Sequence, residues 1–244
     1  MNISSLRKIS NGFKLGFAAL IFLIVFAIGL LALNAAEVIT ETSDLFSIFN
    51  AGRLVLPILS MVLIINGIVE LQSDESYIVR AKQWFMLRLI LSALVMIISV
   101  FSNDIMDRFF SDETDPLYVA IMVVYVVITS IGGYVMNFFS YYYLMRAYGR
   151  DVEIYGLDDK LKHKIKRSEK LLTATNLTLV VSELGLLVYV CIVLSRGTVD
   201  DVNRGIVRIV ALIMIVAIIV RTVNYIFMMN ISGRIAKDIE EISR

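Results

Sequence analysis

The apolar positions of this chain gather in six long blocks, near residues 15–36, 53–72, 84–104, 117–145, 171–195 and 205–230, with short polar connections between them. Each block is close to the roughly 20 residues a helix needs to cross a hydrocarbon layer of about 30 Å. Spanning β-strands would instead show segments of about 10 residues with alternating polarity. Runs such as Leu20–Leu33 and Ile209–Val220 do not alternate. The pattern predicts an all-α integral membrane protein with six transmembrane helices. The connections leave no room for a soluble domain, so residues 1–244 are expected to form a single membrane domain with a basic loop at 146–170. Residues 1–36 have the outline of a signal peptide, but the apolar core Leu15–Leu33 outruns the usual length of about 7–15 residues and is read as a spanning helix.

Self-similarity runs through the blocks. The even helices align on an asparagine, Ile58–Ser73 around Asn66, Ser130–Leu144 around Asn137 and Val216–Ile231 around Asn224. The odd helices open alike, with a basic residue five positions before the first bulky apolar one: Lys8 to Phe13, Arg80 to Phe85 and Lys166 to Leu171. The two alignments have offsets of 71 and 87 against 72 and 86 residues, so they agree to within one residue. They predict three tandem helical hairpins, repeats 1–73, 74–145 and 160–231, related by an axis along the membrane normal. A bundle of that kind is expected to bring the three asparagines towards its centre. Mitochondrial carriers are also triplicated two-helix units, but the proline–acid–base signature that ends their odd helices is absent. Pro57 and Pro116 open even helices instead.

Composition agrees with the pattern. Hydrophobic residues make up 58% of the chain and charged ones 18%, against about 45–50% and 25% in soluble domains. The formal charge of +1 hides a strong asymmetry. The N-terminus, the second and fourth connections and the C-terminus together hold 16 Lys and Arg, and the opposite side holds five, Arg53, Arg108, Arg196, Arg204 and Arg208. By the positive-inside rule both termini are cytoplasmic, N-in and C-in, and the expected location is the plasma (inner) membrane.

Charge inside a bilayer is costly, so ionisable residues in the spans are the first candidates for function. Glu183 lies 12 residues past Leu171 and Arg221 nine before Asn230, which puts them at similar depth on antiparallel neighbours. They are expected to form an intramembrane pair, either a salt bridge locking the third hairpin or a gating or substrate pair. Asn66, Asn137 and Asn224 are expected to make interhelical contacts or to line a polar path. Glu70, Arg88 and Arg146 lie near one boundary and are read as interfacial anchors. Tyr141, Tyr142, Tyr143, Tyr148 and Trp84 are read as an aromatic belt. Gly12 and Gly16 have the spacing of a small-residue helix contact.

The strongest local charge is Lys160–Lys170, where Lys160, Lys162, Lys164, Lys166, Arg167 and Lys170 stand against one Glu. Asp158 and Asp159 supply a helix start before it. Leu161, Ile165 and Leu172 recur at helical spacing. This segment is expected to extend the fifth helix at the cytoplasmic face, beside anionic lipid headgroups or a protein partner. Nucleic acid is not expected as a partner, because no recognition fold accompanies the basic run.

Several chemistries lack their residues. His163 is the single histidine and Cys191 the single cysteine, which excludes paired-histidine metal or haem sites, a serine–histidine hydrolase and an internal disulfide. No Walker or dinucleotide glycine motif is present, and the acidic segment Asp104–Asp115 lacks the calcium-loop pattern. No enzymatic activity, cofactor or metal is expected. The leading function is movement of a small solute or ion, alone or as the membrane subunit of a transport complex; the alternative is a non-transporting scaffold or regulatory subunit that binds a cytoplasmic partner or anionic lipid through the basic loop, and the partner is a protein or a second copy of the chain in a homo-oligomer.

Overall fold

The computed structural model describes residues 3–35, 44–71, 75–109, 123–125, 127–195 and 204–242, and every element among them is helical. Within these ranges the side chains of residues 23, 27–35, 44–54, 99–109, 130, 190–191, 193–195, 204–208, 211, 214–215, 218 and 221 lie outside the description. The helices are α1 (Ile3–Ala35), α2 (Asp44–Glu70), α3 (Ser76–Phe109), α4 (Gly132–Ile154), α5 (Asp159–Ser195) and α6 (Arg204–Ile242). A π-helical turn, Val127–Ile131, leads into α4 beside Gly132 and Gly133. A Cβ on Gly133 would meet nothing within 4 Å, so this glycine pair marks an irregular stretch and not a close helix crossing.

Four helices contain stretches long and apolar enough to cross a membrane: Ile3–Phe26, Ser76–Ile98, Val123–Ile154 and Asp159–Tyr189. The sequence pattern asks for six. In α2 the apolar stretch with described side chains, Val55–Glu70, is only 16 residues, short of the roughly 20 that a span requires. α6 is not among the four.

Each helix packs on its neighbours in the chain, and α6 returns to α1 to close a ring. The connection from α4 to α5 shows how the local sequence makes this possible. Gly156 takes φ +61°, a conformation open to a residue without Cβ. The Leu157 amide then donates to the Val152 carbonyl at 3.0 Å, which closes α4 in a Schellman turn. Two residues later the Asp158 carboxylate accepts from the Lys160 amide at 2.9 Å and caps α5.

The α1–α2 contact is the closest crossing. A Cβ on Gly67 would stand 2.8 Å from the Ser5 carbonyl oxygen and 2.9 Å from the Ile9 amide nitrogen. A Cβ on Gly12 would stand 2.6 Å from Ile64 Cγ1, and one on Gly16 2.7 Å from Ser60 Oγ. Ser60 donates its hydroxyl to the Gly12 carbonyl at 2.9 Å. Small residues let the two backbones approach, as the Gly12–Gly16 spacing predicts.

Packing is concentrated at one end, where α1, α3 and α5 begin and α2, α4 and α6 finish. Leu6, Ile9, Phe13, Ile64, Phe85, Leu144, Tyr148, Leu161 and Ile235 are all fully buried there. Further along the helices few of the described side chains are buried. Beyond Phe13, Ser60, Phe85, Asn137, Asn176 and Asn224 the buried ones are Ala19, Leu179 and Ala217. Ile90, Leu94, Ile97, Leu177, Val181 and Leu212 stand exposed, the arrangement of a surface solvated by lipid chains.

Candidate functional site

The densely packed end is also the charged end. Ion pairs join α1 to α6 (Arg7–Glu240, 2.8 Å), α4 to α5 (Arg146–Glu169, 2.8 Å; Lys162–Glu153, 2.7 Å), α4 to the start of α3 (Arg150–Glu75, 3.5 Å) and α6 to the start of α5 (Arg234–Asp158, 3.1 Å). Lys8 pairs with Glu70 between α1 and α2. Exposed pairs of this kind are each worth only about 0–1 kcal/mol. Their larger consequence is that most acids of this end are already occupied. Burial holds the Glu75 carboxyl above the usual carboxylate range in spite of Arg150. Asp151, 8% exposed, stands near enough to be influenced by its charge.

Along Asp159–Lys170 the helix is strictly two-faced. Leu161, Ile165 and Ser168 are buried, and Leu172 continues the same row. Lys160, Lys162, His163, Lys164, Lys166, Arg167 and Lys170 are exposed. Lys162 is taken by Glu153, and the Arg167 guanidinium lies over the Phe227 ring at 5.6 Å. Lys160, Lys164, Lys166 and Lys170 have no ion-pair partner among the described residues. The segment is the first part of one unbroken helix that continues to Ser195.

Farther along α5, between it and α4, runs an apolar groove of about 270 Å³. Phe138, Phe139 and Val135 of α4 and Thr173, Leu177 and Val180 of α5 line it. Lys166 and Lys170 come seven and three residues before Thr173, so they stand on the same face of the helix as the groove.

The three asparagines do not converge. Asn137 donates from Nδ2 to Asn176 Oδ1 at 3.2 Å across α4–α5, and Asn224 accepts from the Ser168 hydroxyl at 2.6 Å across α5–α6. Both are buried, whereas Asn66 is exposed. The cause is local: Gly67 must face Ser5 and Ile9 of α1, and one residue back along a helix is a turn of about 100°. Asn66 is thereby carried to the outer surface. Sequence reasoning missed the partners Asn176 and Ser168. Their signal was there, because Ser168 and Asn176 continue the row Leu161, Ile165, Leu172 at spacings of three and four.

Arg88 departs furthest from its sequence reading. It does not reach outward as an interfacial anchor. Its Nη1 donates to the Tyr141 hydroxyl at 3.0 Å, and its guanidinium lies over the Tyr141 ring at 5.4 Å. The Tyr141 and Tyr225 hydroxyls are 2.9 Å apart. Phe85 meets Tyr141 edge-on at 5.2 Å, and Phe13 packs on Tyr141 and Tyr225 at 5.7 and 6.3 Å. Aromatic residues from α1, α3, α4 and α6 thus gather around the Arg88–Tyr141 contact. The aromatic belt is correspondingly divided. Tyr141 and Tyr148 are core residues, with Tyr148 accepting from Ser232 at 3.0 Å, while Tyr142 and Tyr143 stay partly exposed beneath Arg146 and Arg80. Glu70 and Arg146, read as anchors, face neighbouring helices through Lys8 and Glu169.

Glu183 is half-buried in the apolar part of α5. The side chain of Arg221, its expected partner, lies outside the described residues. The described residues contain no cluster of three or more His, Cys, Asp and Glu suited to a metal ion. Comparison with known protein families, characterised proteins and solved structures gives no match.

Proposed function

We propose that this chain is a six-span membrane protein of three hairpins, with both termini and the basic start of α5 on the cytoplasmic side of the plasma membrane. Its role in this reading is that of a non-transporting scaffold or regulatory subunit that holds anionic phospholipid at the inner leaflet. The observation that carries the reading is the placement of Lys166 and Lys170 on the same face of α5 as the groove along α4. An acyl chain fills an apolar groove in the membrane, and ammonium groups at its polar end receive the lipid phosphate. Because the neighbouring acids are engaged elsewhere, Lys160, Lys164, Lys166 and Lys170 keep their charge available. A basic residue near an anionic surface contributes about 1 kcal/mol.

Native mass spectrometry of the purified protein, after exchange into mixed phosphatidylcholine and phosphatidylglycerol, tests this. Retained phosphatidylglycerol is expected on the wild type. It should fall by about fivefold for each lysine neutralised in the set Lys160, Lys164, Lys166 and Lys170→Gln. Equal retention by the fully neutralised variant overturns the reading.

A second reading, passage of a small solute or ion or service as the membrane subunit of a transport complex, is favoured by Glu183 within the span and by the sparse burial beyond Phe13 and Phe85. Solute or ion flux into proteoliposomes that is lost in Glu183→Gln supports it. Absence of flux in the wild type counts against it.

A further inference from the structure

We infer that Asp151 is a proton-operated latch: with its carboxyl protonated the end of α4 seats in the packed core, and with it ionised the turn from α4 into α5 loosens. The inference does not rest on the lipid reading, and no residue of the lysine face takes part in it. Asp151 lies past residue 145, beyond the apolar block of its helix, at the charged end.

It is the exception among the acids there. Glu70, Glu153, Asp158, Glu169 and Glu240 each meet a Lys or Arg. Asp151 meets none among the described residues, although it is buried, and its Oδ2 lies inside without a hydrogen-bond donor. Ala147 and Tyr148, a turn back along α4, are fully buried, and Val152 beside it is nearly so. A carboxylate so placed has lost water without gaining a partner, and taking up a proton removes that cost.

The charged groups around it do not supply the missing partner. Glu75, at the entry to α3, stands near enough for its own charge to oppose a second one on Asp151. Arg150 of α4 favours the ionised form, but its side chain is 54% exposed and pairs with Glu75 at 3.5 Å. The α-amino group of the chain also favours the ionised form. Tyr148 is the neighbouring phenol, kept neutral by burial and hydrogen-bonded to Ser232. Burial outweighs both cations and pushes the Asp151 carboxyl up to about 6. The proton therefore comes and goes in mildly acidic solution.

The place of Asp151 in the chain gives that proton something to move. Its carbonyl accepts from the Tyr155 amide at 2.9 Å, and the next carbonyl, that of Val152, accepts from Leu157 at 3.0 Å. These two bonds close α4 and hold the turn at Gly156 that aims the chain into α5. Ionisation thus costs free energy at the residue that anchors the turn, and opening the turn lets water reach the carboxylate. The folded carboxyl value lies above the ordinary one of about 3.9. Protection of the turn is therefore greatest at low pH and falls as pH rises through the folded value.

Amide hydrogen exchange of the full chain in detergent micelles tests this, read at Tyr155 and Leu157 as protection over the intrinsic rate. Every sample carries His163→Gln, which removes the single imidazole of the chain. Protection should be about tenfold greater at pH 5 than at pH 7.5, as a carboxyl moved from about 3.9 to about 6 requires when it ionises freely in the open turn. Asp151→Asn keeps the shape without the charge and should hold the pH 5 level of protection at both values. Glu75→Gln removes the opposing charge and should move the transition to lower pH, which carries the test if Asp151→Asn does not fold. Equal protection at the two pH values before either substitution overturns the inference. So does a difference that survives in Asp151→Asn, or a transition that Glu75→Gln leaves in place.

Discussion

Asn137 and Asn176 present amides to each other where both are buried, while Asn66 stands exposed on the helix surface. Removing the first contact should cost about 0.6 kcal/mol and at most about 1.7, the range for hydrogen bonds between membrane helices. Asn137→Ala is expected to lower stability by that amount in mixed-micelle unfolding, and Asn66→Ala to leave it unchanged. Equal losses would mean that Asn66 has a partner. Glu75 and Asp151 share the pH dependence of the charged end, burial raising both carboxyls and pushing Asp151 up to about 6. Because burial raises the folded Glu75 carboxyl above the ordinary value, its ionisation works against the folded state. That cost is absent at low pH and grows as pH rises through the folded value. Its partner Arg150 is 54% exposed at the side chain, so water can replace the lost contact. Glu75→Gln is therefore expected to raise the unfolding midpoint relative to wild type at pH 8, with the advantage vanishing near pH 4. A loss at pH 8 would show that the Arg150 pair outweighs desolvation. At this scale the sequence identifies burial well and direction poorly. Leu161, Ile165 and Leu172 are where their spacing puts them. Arg88 is not, because depth along a helix says nothing about which way a long side chain turns.

The helices themselves were largely readable, since apolar runs of this length have few alternatives and short connections make chain neighbours pack. What spacing cannot supply is the partner of a small residue. Gly12 and Gly16 announce a close contact, but only the fold shows that Ser60, Ile64 and Gly67 of α2 receive it. The details predict unequal tolerance. A methyl on Gly67 would strike the backbone of Ser5 and Ile9, which cannot yield without separating the helices, whereas one on Gly16 would strike the hydroxyl of Ser60. Gly67→Ala should cost about 1–3 kcal/mol, as overpacking does, and Gly16→Ala less than about 1. Unfolding of the two variants in the same detergent mixture measures the difference. Equal costs would indicate that the α1–α2 crossing is looser than the structure has it. The closure of α6 onto α1, the two most distant helices of the chain, has a sequence signal only through the repeat, since three hairpins about one axis bring the last beside the first.

At the scale of the whole molecule, charge and dense packing coincide at one end among the described residues. Arg7, Arg234 and the lysines of α5 stand at the end where Leu6, Tyr148 and Ile235 are fully buried. The positive charges were legible as a count for each side. That the same end would hold the core was not, because the apolar blocks look alike along their length. The account depends on this end facing the cytoplasm, where anionic headgroups are available to Lys166 and Lys170. Cysteine labelling tests that most directly. In a Cys191→Ser background, which removes the single native thiol, Lys164→Cys places a new one on the exposed face of α5. The account predicts that a membrane-impermeant maleimide leaves this thiol unmodified in intact cells and modifies it once the membrane is permeabilised. Modification in intact cells would put the basic face outside and contradict the account.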